Sequence, residues 1–289
     1  MINKQAISFY LIYPLIWLIA SLPFWLLYRV SDFFYFLLRL SGYRRKVVLE
    51  NLRASFPEKS EKEIQTICDN YFSYLCDLTL ETLKTLKMDE KESAQRCVFR
   101  NQEWLDKLRA ENKSIIIVMG HYGNWEWAGP SVSLYTKYQL LVIYRPLTNA
   151  YFEKMMVGMR TRFGTEITPV NQTLRDMVAN RKRVTASAFI ADQYPPGGGK
   201  IWTTFLNQDT GFFTGPEKLA TKFDYPIVYI KINRLERGKY EVVPELLFEH
   251  PKNTTEGEIT EAFSKRLEKD IVADPTTWLW SHKRWKHKR

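Results

Sequence analysis

The chain has 289 residues, of which 45% are hydrophobic and 15% aromatic, and its formal net charge is +10. This composition excludes a disordered chain, because it supplies enough apolar side chains for a core. The excess of Lys and Arg predicts an anionic partner, which could be a nucleic acid, anionic lipid headgroups or a phosphorylated substrate. The three cysteines, Cys68, Cys76 and Cys97, lack C-x-x-C spacing. We interpret them as core residues in a reducing compartment and expect no metal site.

The first predicted element is an uncharged stretch of twenty residues, 9–28. At about 1.5 Å per residue, a helix of this length crosses the roughly 30 Å hydrocarbon core of a bilayer. Pro14 and Pro23 leave a re-entrant or interfacial helix open, and a buried core helix is a third alternative. Basic residues follow the stretch, which predicts that the rest of the chain is cytoplasmic. We therefore expect a membrane anchor with an interfacial segment at 1–40 and a cytoplasmic domain at 41–289.

Helical patterns follow the predicted anchor. Residues 43–52 form a first short helix, and Ser60-x-x-Glu63 is a capping box that predicts the start of a second. Apolar residues then recur at spacings of three and four to about Lys87, which indicates one long amphipathic helix packed on a core. A further helix is expected at 102–111.

Short apolar runs then alternate with helical patterns. The expected strands lie at 115–119, 140–144, 184–190, 227–232 and 240–243, with helices at 150–163 and 174–181. This alternation predicts an α/β fold with a mainly parallel central sheet flanked by helices. The short connection between the last two strands predicts an antiparallel pair at one edge. Ligands of such sheets bind beyond the carboxyl ends of the strands.

His121 and Glu126 follow the first of these strands with four residues between them. Their side chains cannot meet on a regular helix or strand, but Gly120 and Gly123 allow a turn that would bring them together. A carboxylate that holds one imidazole nitrogen leaves the other free as a general base. The alternative is a structural histidine at a strand end and an acid in the first turn of a helix.

Two other strand ends carry polar side chains. Arg145 could stabilise an oxyanion or bind a substrate phosphate, and a structural salt bridge is the alternative. Asp192 and Gln193 could orient polar groups of a substrate or cap the next turn. The chain has no G-x-S-x-G elbow, and the Pro- and Gly-rich segment at 195–200 lacks the spacing of a phosphate-binding loop, so we expect a mobile loop there. The chemistry that remains is base-assisted transfer, in which His121 deprotonates a hydroxyl that attacks an activated acyl carbon.

The C-terminal residues 278–289 mix tryptophans with basic side chains. This composition is typical of a membrane–water interface or of a surface that binds anionic headgroups. Nucleic acid is the alternative partner, and the apolar N-terminus favours lipid.

The chain resembles the bacterial lipid A late (secondary) acyltransferases, within the lysophospholipid acyltransferase superfamily. The resemblance covers nearly the whole chain and rests on several short motifs besides the N-terminal apolar stretch. They are Arg44-Arg45, Asn51-Leu52, Phe56-Pro57, His121-x4-Glu126, Tyr144-Arg145-Pro146, Ala191-Asp192-Gln193, Thr214-Gly215 and Trp280-x-His282-Lys-Arg284-Trp-Lys286. It implies a glycerolipid acyltransferase-like fold and an enzyme of the bacterial inner membrane with its catalytic domain on the cytoplasmic face.

The resemblance further implies transfer of a fatty acyl chain from acyl carrier protein, or coenzyme A, to a lipid hydroxyl, with no cofactor. His121 would be the base and Glu126 its partner. Substrate would be bound by Arg145, Asp192, Gln193, Thr214 and Gly215. The leading acceptor is a hydroxyacyl chain of a lipid A precursor, and another hydroxyacyl lipid, such as an aminolipid, is the alternative. A lysophosphatidate acyltransferase and a non-catalytic lipid-binding scaffold are the other readings.

Two departures from the family pattern concern the acceptor. A Pro-Pro-Gly-Gly-Gly insertion follows Asp192-Gln193, and residues 205–208 read Phe-Leu-Asn-Gln where the best-known members have Phe-Phe-Gly. Both leave the identity of the acceptor open.

Overall fold

The computed structural model describes residues 4–193 and 199–286. Their α-helices are α1 (Lys4–Ser21), α2 (Phe24–Ser41), α3 (Arg45–Ser55), α4 (Glu61–Lys84), α5 (Glu90–Arg96), α6 (Glu103–Ala110), α7 (Trp125–Tyr135), α8 (Ala150–Thr161), α9 (Thr173–Ala179), α10 (Gly215–Phe223) and α11 (Glu258–Ala273). The strands are β1 (Cys97–Phe99), β2 (Ile115–Met119), β3 (Gln139–Tyr144), β4 (Glu166–Pro169), β5 (Thr185–Ile190), β6 (Lys200–Phe205), β7 (Gln208–Phe213), β8 (Ile227–Glu236) and β9 (Lys239–Phe248).

Seven strands form one sheet in the order β1-β9-β8-β2-β5-β3-β4, with helices on its faces. All neighbours are parallel except β8 and β9. All five residues of β2 are buried, as expected for a central strand covered on both faces. Met119 at the end of β2 lies beside Ile190 at the end of β5. The two chain segments that follow these strands therefore leave the sheet side by side.

The predicted α/β fold is confirmed, and every expected strand is present. The expected antiparallel pair is also present, but β1 adds a short parallel strand outside β9 and so covers that edge. The sequence pattern did not reveal β1, β4 or the separate β6–β7 hairpin. These strands are short or alternate weakly, and three or four residues carry little periodicity.

The predicted single helix at 9–28 is wrong. The helix α1 ends at Ser21, and a second helix, α2, begins at Phe24. Pro23 lies between them in an extended conformation and is the N-cap of α2. Proline is common at the start of a helix because it has no N–H to leave unpaired, which agrees with the position of Pro23. Pro14, in contrast, lies within α1. Among the described helices, α1 is the one that is long and apolar enough to cross a bilayer, judged by length and composition.

The capping box is present as predicted. The Ser60 side chain accepts from the backbone of Glu63, and the Glu63 carboxylate accepts from the backbone of Ser60. The helix that it starts, α4, packs against α1, α2 and α3 and ends at Lys84, three residues before the predicted end. The predicted mobile loop at 195–200 falls largely outside the described residues, which resume at Gly199.

Candidate active site

A turn at residues 120–124 joins β2 to α7 and carries His121; it is called the His121 turn below. Gly123 has a φ of +59°, and a Cβ atom there would lie 2.6 Å from Cγ2 of Ile232. A Cβ on Gly120 would lie 2.7 Å from the methyl carbons of Leu267. Gly123 therefore requires glycine by both conformation and space, whereas a side chain at Gly120 would force the Leu267 side chain to shift. The side chain of Asn124 then caps α7 by accepting from Trp127 N–H at 3.0 Å.

A segment near the C-terminus, residues 277–279, pairs with the His121 turn. Tyr122 forms an antiparallel bridge with Trp278. The amide of Leu279 donates to the carbonyl of His121 at 3.1 Å, and Gly123 N–H donates to the carbonyl of Thr277 at 3.0 Å. Because these hydrogen bonds lie on both sides of His121, they fix its backbone.

His121 pairs with Asp192, which follows β5. Nδ1 of His121 lies 2.6 Å from Oδ1 of Asp192, and Oδ2 accepts from the backbone N–H of His121 at 2.9 Å and from the indole N–H of Trp278 at 2.8 Å. Burial alone would raise the pKa of the Asp192 carboxyl, but the charge of His121 and these hydrogen bonds lower it to about 2. The carboxylate is thus ionised at neutral pH, and Nδ1–H donates to it. The Nε2 atom is left to accept a proton.

The predicted contact between His121 and Glu126 is not what the structure shows. Glu126 lies in the first turn of α7 and accepts two hydrogen bonds from Arg160 of α8, at 2.6 and 3.1 Å. Burial alone would lower the pKa of the Arg160 guanidinium, but the Glu126 carboxylate raises it above its ordinary value. The backbone does turn between His121 and Glu126, as the glycines predicted, but α7 directs the carboxylate towards α8.

A cavity of about 290 Å³ opens beside the imidazole, and both His121 and Glu126 line it. The Gln193 side chain lies at the same wall, with its amide nitrogen 3.4 Å from Nε2 of His121. The ring of Trp125 packs edge-on to the imidazole at a centroid distance of 5.1 Å. Arg145, which follows β3, is an exposed lining residue, and within residues 4–193 and 199–286 it has no ion-pair partner. The cavity therefore joins a candidate base to a side-chain amide and a cationic rim.

A general base oriented by a buried carboxylate at the mouth of a cavity is suited to activating a hydroxyl group. The family model described as "Bacterial lipid A biosynthesis acyltransferase" matches residues 2–287. The chain belongs to this family. It is therefore an acyltransferase.

Three relatives of this acyltransferase agree with the assignment. The lipid A biosynthesis lauroyltransferase of Escherichia coli K12 is 23% identical over 274 residues, which cover 94% of this chain and 89% of the relative. The lipid A biosynthesis palmitoleoyltransferase of the same strain is 22% identical over 84% of this chain and 79% of its own length. The lipid A biosynthesis acyltransferase of Haemophilus influenzae Rd is 20% identical over 80% and 72%.

Two of the predicted binding residues lie elsewhere in the acyltransferase. Thr214 donates its hydroxyl to the carbonyl of Gly199 at 2.8 Å, at the end of the β6–β7 hairpin. Gly215 begins α10, where a Cβ atom would overlap the ring of Phe213. Among the described residues that line the His121 cavity, neither is present. The structure gives both a local structural role and does not bring them to the cavity.

The C-terminal tryptophans were predicted at a membrane interface, and this is wrong for two of them. Trp278 and Trp280 are buried in the core of the acyltransferase. Sequence reasoning missed the contact of Trp278 with Asp192 because no local spacing relates the two. His282 was not predicted as a site residue either; burial lowers its pKa, and the charge of Asp192 acts in the opposite direction.

A second buried polar cluster, formed around Glu81 and called the Glu81 cluster below, contacts the end of the His121 turn. Glu81 of α4 accepts hydrogen bonds from the Tyr28 hydroxyl at 2.9 Å, the Tyr240 hydroxyl at 2.8 Å and the Asn124 amide at 2.9 Å. Its backbone carbonyl accepts from the indole N–H of Trp127 at 3.0 Å. Since Asn124 caps α7, this cluster positions the start of the helix that carries Glu126.

Among the described residues, no group of three or more His, Cys, Asp or Glu side chains is arranged to hold a metal ion.

Proposed function

We propose that this acyltransferase moves a fatty acyl chain from the thioester of acyl carrier protein, or of coenzyme A, to the hydroxyl of a hydroxyacyl chain on a lipid A precursor. The observation that carries the proposal is the pairing of Nδ1 of His121 with the ionised carboxylate of Asp192, which leaves Nε2 at an open cavity. Family membership supplies the reaction class, and the names of the relatives point to lipid A as the acceptor.

In the proposed step, Nε2 of His121 removes the proton of the acceptor hydroxyl as its oxygen attacks the thioester carbon. The C–S bond then breaks, and the proton on Nε2 passes to the departing thiolate. Asp192 stays ionised throughout and stabilises the imidazolium that forms between the two proton transfers. Asp192 therefore takes the orienting role that the sequence assigned to Glu126.

The polar groups at the cavity wall suit the other requirements of the reaction. The Gln193 amide lies 3.4 Å from Nε2 and is placed to hydrogen-bond the acceptor hydroxyl or the developing oxyanion. Arg145 would bind an anionic group of either substrate at the rim. Glu126 would act by holding Arg160 in the cavity wall rather than by contact with the base.

The proposed location is the inner membrane, with the catalytic domain facing the cytoplasm where acyl carrier protein is found. The apolar helix α1 and the exposed aromatic and aliphatic side chains of α2 support membrane association. The net charge of +10 suits an anionic lipid acceptor and an anionic carrier.

The test is transfer of a radiolabelled acyl group by the purified protein in lipid vesicles, with acyl carrier protein and coenzyme A as alternative donors. We expect His121→Ala to reduce transfer by roughly 10²–10⁴-fold. The matched control is His250→Ala, because His250 is exposed, lies outside the helices and strands, and does not line the cavity. An acceptor that lacks the chain hydroxyl should not be acylated. Full activity of His121→Ala would refute the mechanism.

The acceptor is tested separately by mass spectrometry of total lipids from cells with and without the protein. Loss of one acyl chain from lipid A supports the proposal. Loss of a chain from an aminolipid, with lipid A unchanged, would replace the acceptor while keeping the mechanism.

A further inference from the structure

An apolar groove of about 560 Å³ lies between α1, α2 and α4 and shares no lining residue with the His121 cavity. Its lining is almost entirely aliphatic and aromatic, with Ile16 from α1, Leu37 from α2 and Leu75 from α4 as examples. The volume is in the range of about 300–1,000 Å³ that is typical of ligand sites. An open apolar groove of this size requires an apolar occupant.

The groove adjoins the His121 cavity through a third, smaller depression of about 250 Å³. That depression shares Leu75, Thr79 and Leu83 of α4 with the groove. It shares Trp125 and Glu126 of α7 with the cavity. The three spaces are therefore neighbours in one row that begins at His121 and ends between the two N-terminal helices.

Helix α1 contacts the body of the protein at both of its ends. At its start, Gln5 donates to the carbonyl of Thr148 at 3.3 Å, and the ring of Phe9 packs edge-on to Phe152 of α8 at 5.2 Å. At its end, Lys84 of α4 donates to the carbonyl of Ala20 at 3.0 Å. These contacts hold α1 alongside the domain rather than extended away from it.

The other side of α1 and the outer side of α2 together form an exposed apolar face. Leu11 and Leu18 of α1 are 75% and 56% exposed, and Trp25 and Phe36 of α2 are 70% and 56% exposed. Exposed apolar side chains on two adjacent helices suit the hydrocarbon of a single leaflet, in which both helices lie flat. The groove opens between these two helices.

We propose that the groove between α1, α2 and α4 binds the hydrocarbon chain of the lipid acceptor, which enters sideways from the leaflet that receives α1 and α2. The inference rests on the proposed function and adds the route of one substrate. A chain that moves from the leaflet into this groove stays in apolar surroundings as its hydroxyl approaches His121. A donor carried by a soluble protein arrives from water, so the groove suits the acceptor better.

A large side chain at Thr79 would obstruct the path between the groove and the His121 cavity. Thr79 is exposed, lines both the groove and the depression beside it, and its hydroxyl donates to the carbonyl of Leu75 at 2.7 Å. Thr66 is the matched control, because it is an exposed threonine of α4 with the same bond to Lys62 at 2.8 Å, and the groove does not include it. Both are replaced by tryptophan.

We expect Thr79→Trp to lower kcat/KM by roughly tenfold or more for a long-chain acceptor, and to leave a short-chain, water-soluble hydroxyacyl acceptor within about twofold. Thr66→Trp should change neither. An equal loss with both acceptors, or no loss with either, would overturn the proposal. If the unmodified protein transfers no acyl group, the proposed function is refuted. The binding of an acceptor chain in the groove is then tested by labelling.

Labelling needs no turnover. A hydroxyacyl lipid with a diazirine near the end of its chain is irradiated with the protein in phosphatidylethanolamine–phosphatidylglycerol vesicles, and adducts are located by mass spectrometry. Adducts on the groove segments of α1, α2 and α4, reduced in Thr79→Trp and retained in His121→Ala, support the proposal. Labelling there by a diazirine acyl-coenzyme A instead would assign the groove to the donor, and no labelling by either probe would refute it.

The flat orientation of α1 has its own measurement. Spin labels on Leu11→Cys and Leu18→Cys should report equal depths in the vesicle membrane. A helix that spans the bilayer would separate these labels by about 10 Å in depth. Such a difference would contradict lateral entry.

Discussion

The His121 turn and the Glu81 cluster are each held by a buried carboxyl group, and the pKa values of these two groups shift in opposite directions. Asp192 is surrounded by an imidazole, a backbone N–H and an indole N–H, and its pKa is lowered to about 2. Burial raises the pKa of Glu81, whose nearest hydrogen-bond partners are the neutral groups of Tyr28, Tyr240 and Asn124. Equal burial therefore gives opposite shifts, because the partners decide which protonation state is favoured.

The difference separates a carboxylate that is placed for the proposed reaction from one that is placed to hold the scaffold together. An ionised acid can orient an imidazole and stabilise its charged form, as Asp192 is placed to do. Glu81, whose partners are neutral hydroxyl and amide groups, instead joins α2, α4, β9 and the N-cap of α7 in one network. Mutations of the two acids should therefore affect different quantities.

The largest effect is expected for Asp192→Asn. The substitution preserves shape but removes the charge that fixes the tautomer of His121, so we expect kcat to fall by roughly 10²–10⁴-fold with little change in KM. Steady-state kinetics with radiolabelled donor measure both. Glu81→Gln is the contrasting variant and should retain kcat within about threefold. If Glu81→Gln lost as much activity as Asp192→Asn, the division between the two acids would be wrong.

A smaller effect is expected for Trp278→Phe. It removes the indole N–H that Asp192 accepts at 2.8 Å while keeping an aromatic ring in the core. A hydrogen bond to a charged group contributes about 1.5–3 kcal/mol, so we expect kcat to fall by roughly tenfold with KM unchanged. Trp280→Phe is the control, because the indole of Trp280 donates to the carbonyl of Pro275 instead. Equal losses in both variants would indicate a general packing defect.

Glu126→Gln tests the acid that the sequence favoured. The amide cannot balance the charge of Arg160, so the cavity wall should loosen, but the pair of His121 and Asp192 remains. We expect kcat/KM to fall by less than roughly tenfold, and the loss should be absent when Arg160→Gln is already present. A loss as large as that of Asp192→Asn would return Glu126 to the role of direct partner.

The smallest expected effects are on stability, and they have opposite signs. The pKa of Asp192 is lower in the folded protein than its ordinary value of 3.8, so its contribution is complete above that value and is lost as pH falls towards about 2. The pKa of Glu81 is higher in the folded protein than its ordinary value of 4.5, so stability decreases as pH rises above 4.5. Urea unfolding at a series of pH values gives the free energy of unfolding of the wild type and of each variant. The difference between the wild type and Asp192→Asn should increase with pH, and the difference between the wild type and Glu81→Gln should decrease with pH. A shared sign would contradict the assigned pKa directions.

The sequence predicted the turn that carries His121 but not the acid that pairs with its imidazole, and the role of His121 as the base stays a prediction. Gly120 and Gly123 indicated a change of direction after β2, and His121 was the best placed histidine. The sequence pointed to Glu126 as the partner of His121 because Glu126 is the acid nearest to it along the chain. Asp192 reaches His121 through the register of β2 beside β5, in which Met119 lies next to Ile190. Such a register depends on strand order, which no local spacing encodes.

The same limit applies to the N-terminal helices. Hydropathy predicted an apolar stretch of membrane-spanning length, and composition alone could not show that Pro23 would divide it. The buried residues of α1, at spacings of three and four, face α4 and α8, and those of α2 face α4; these neighbours meet them only in the folded domain. Amphipathic orientation therefore had to be observed.

The pairing of residues 277–279 with the His121 turn has a consequence for biosynthesis. While these residues are still within the ribosomal exit tunnel, the nascent chain has no partner for the amide of Gly123 or the carbonyl of His121, and Asp192 has no indole donor. The turn that carries His121 therefore gains these hydrogen bonds only after residues 277–279 have left the ribosome.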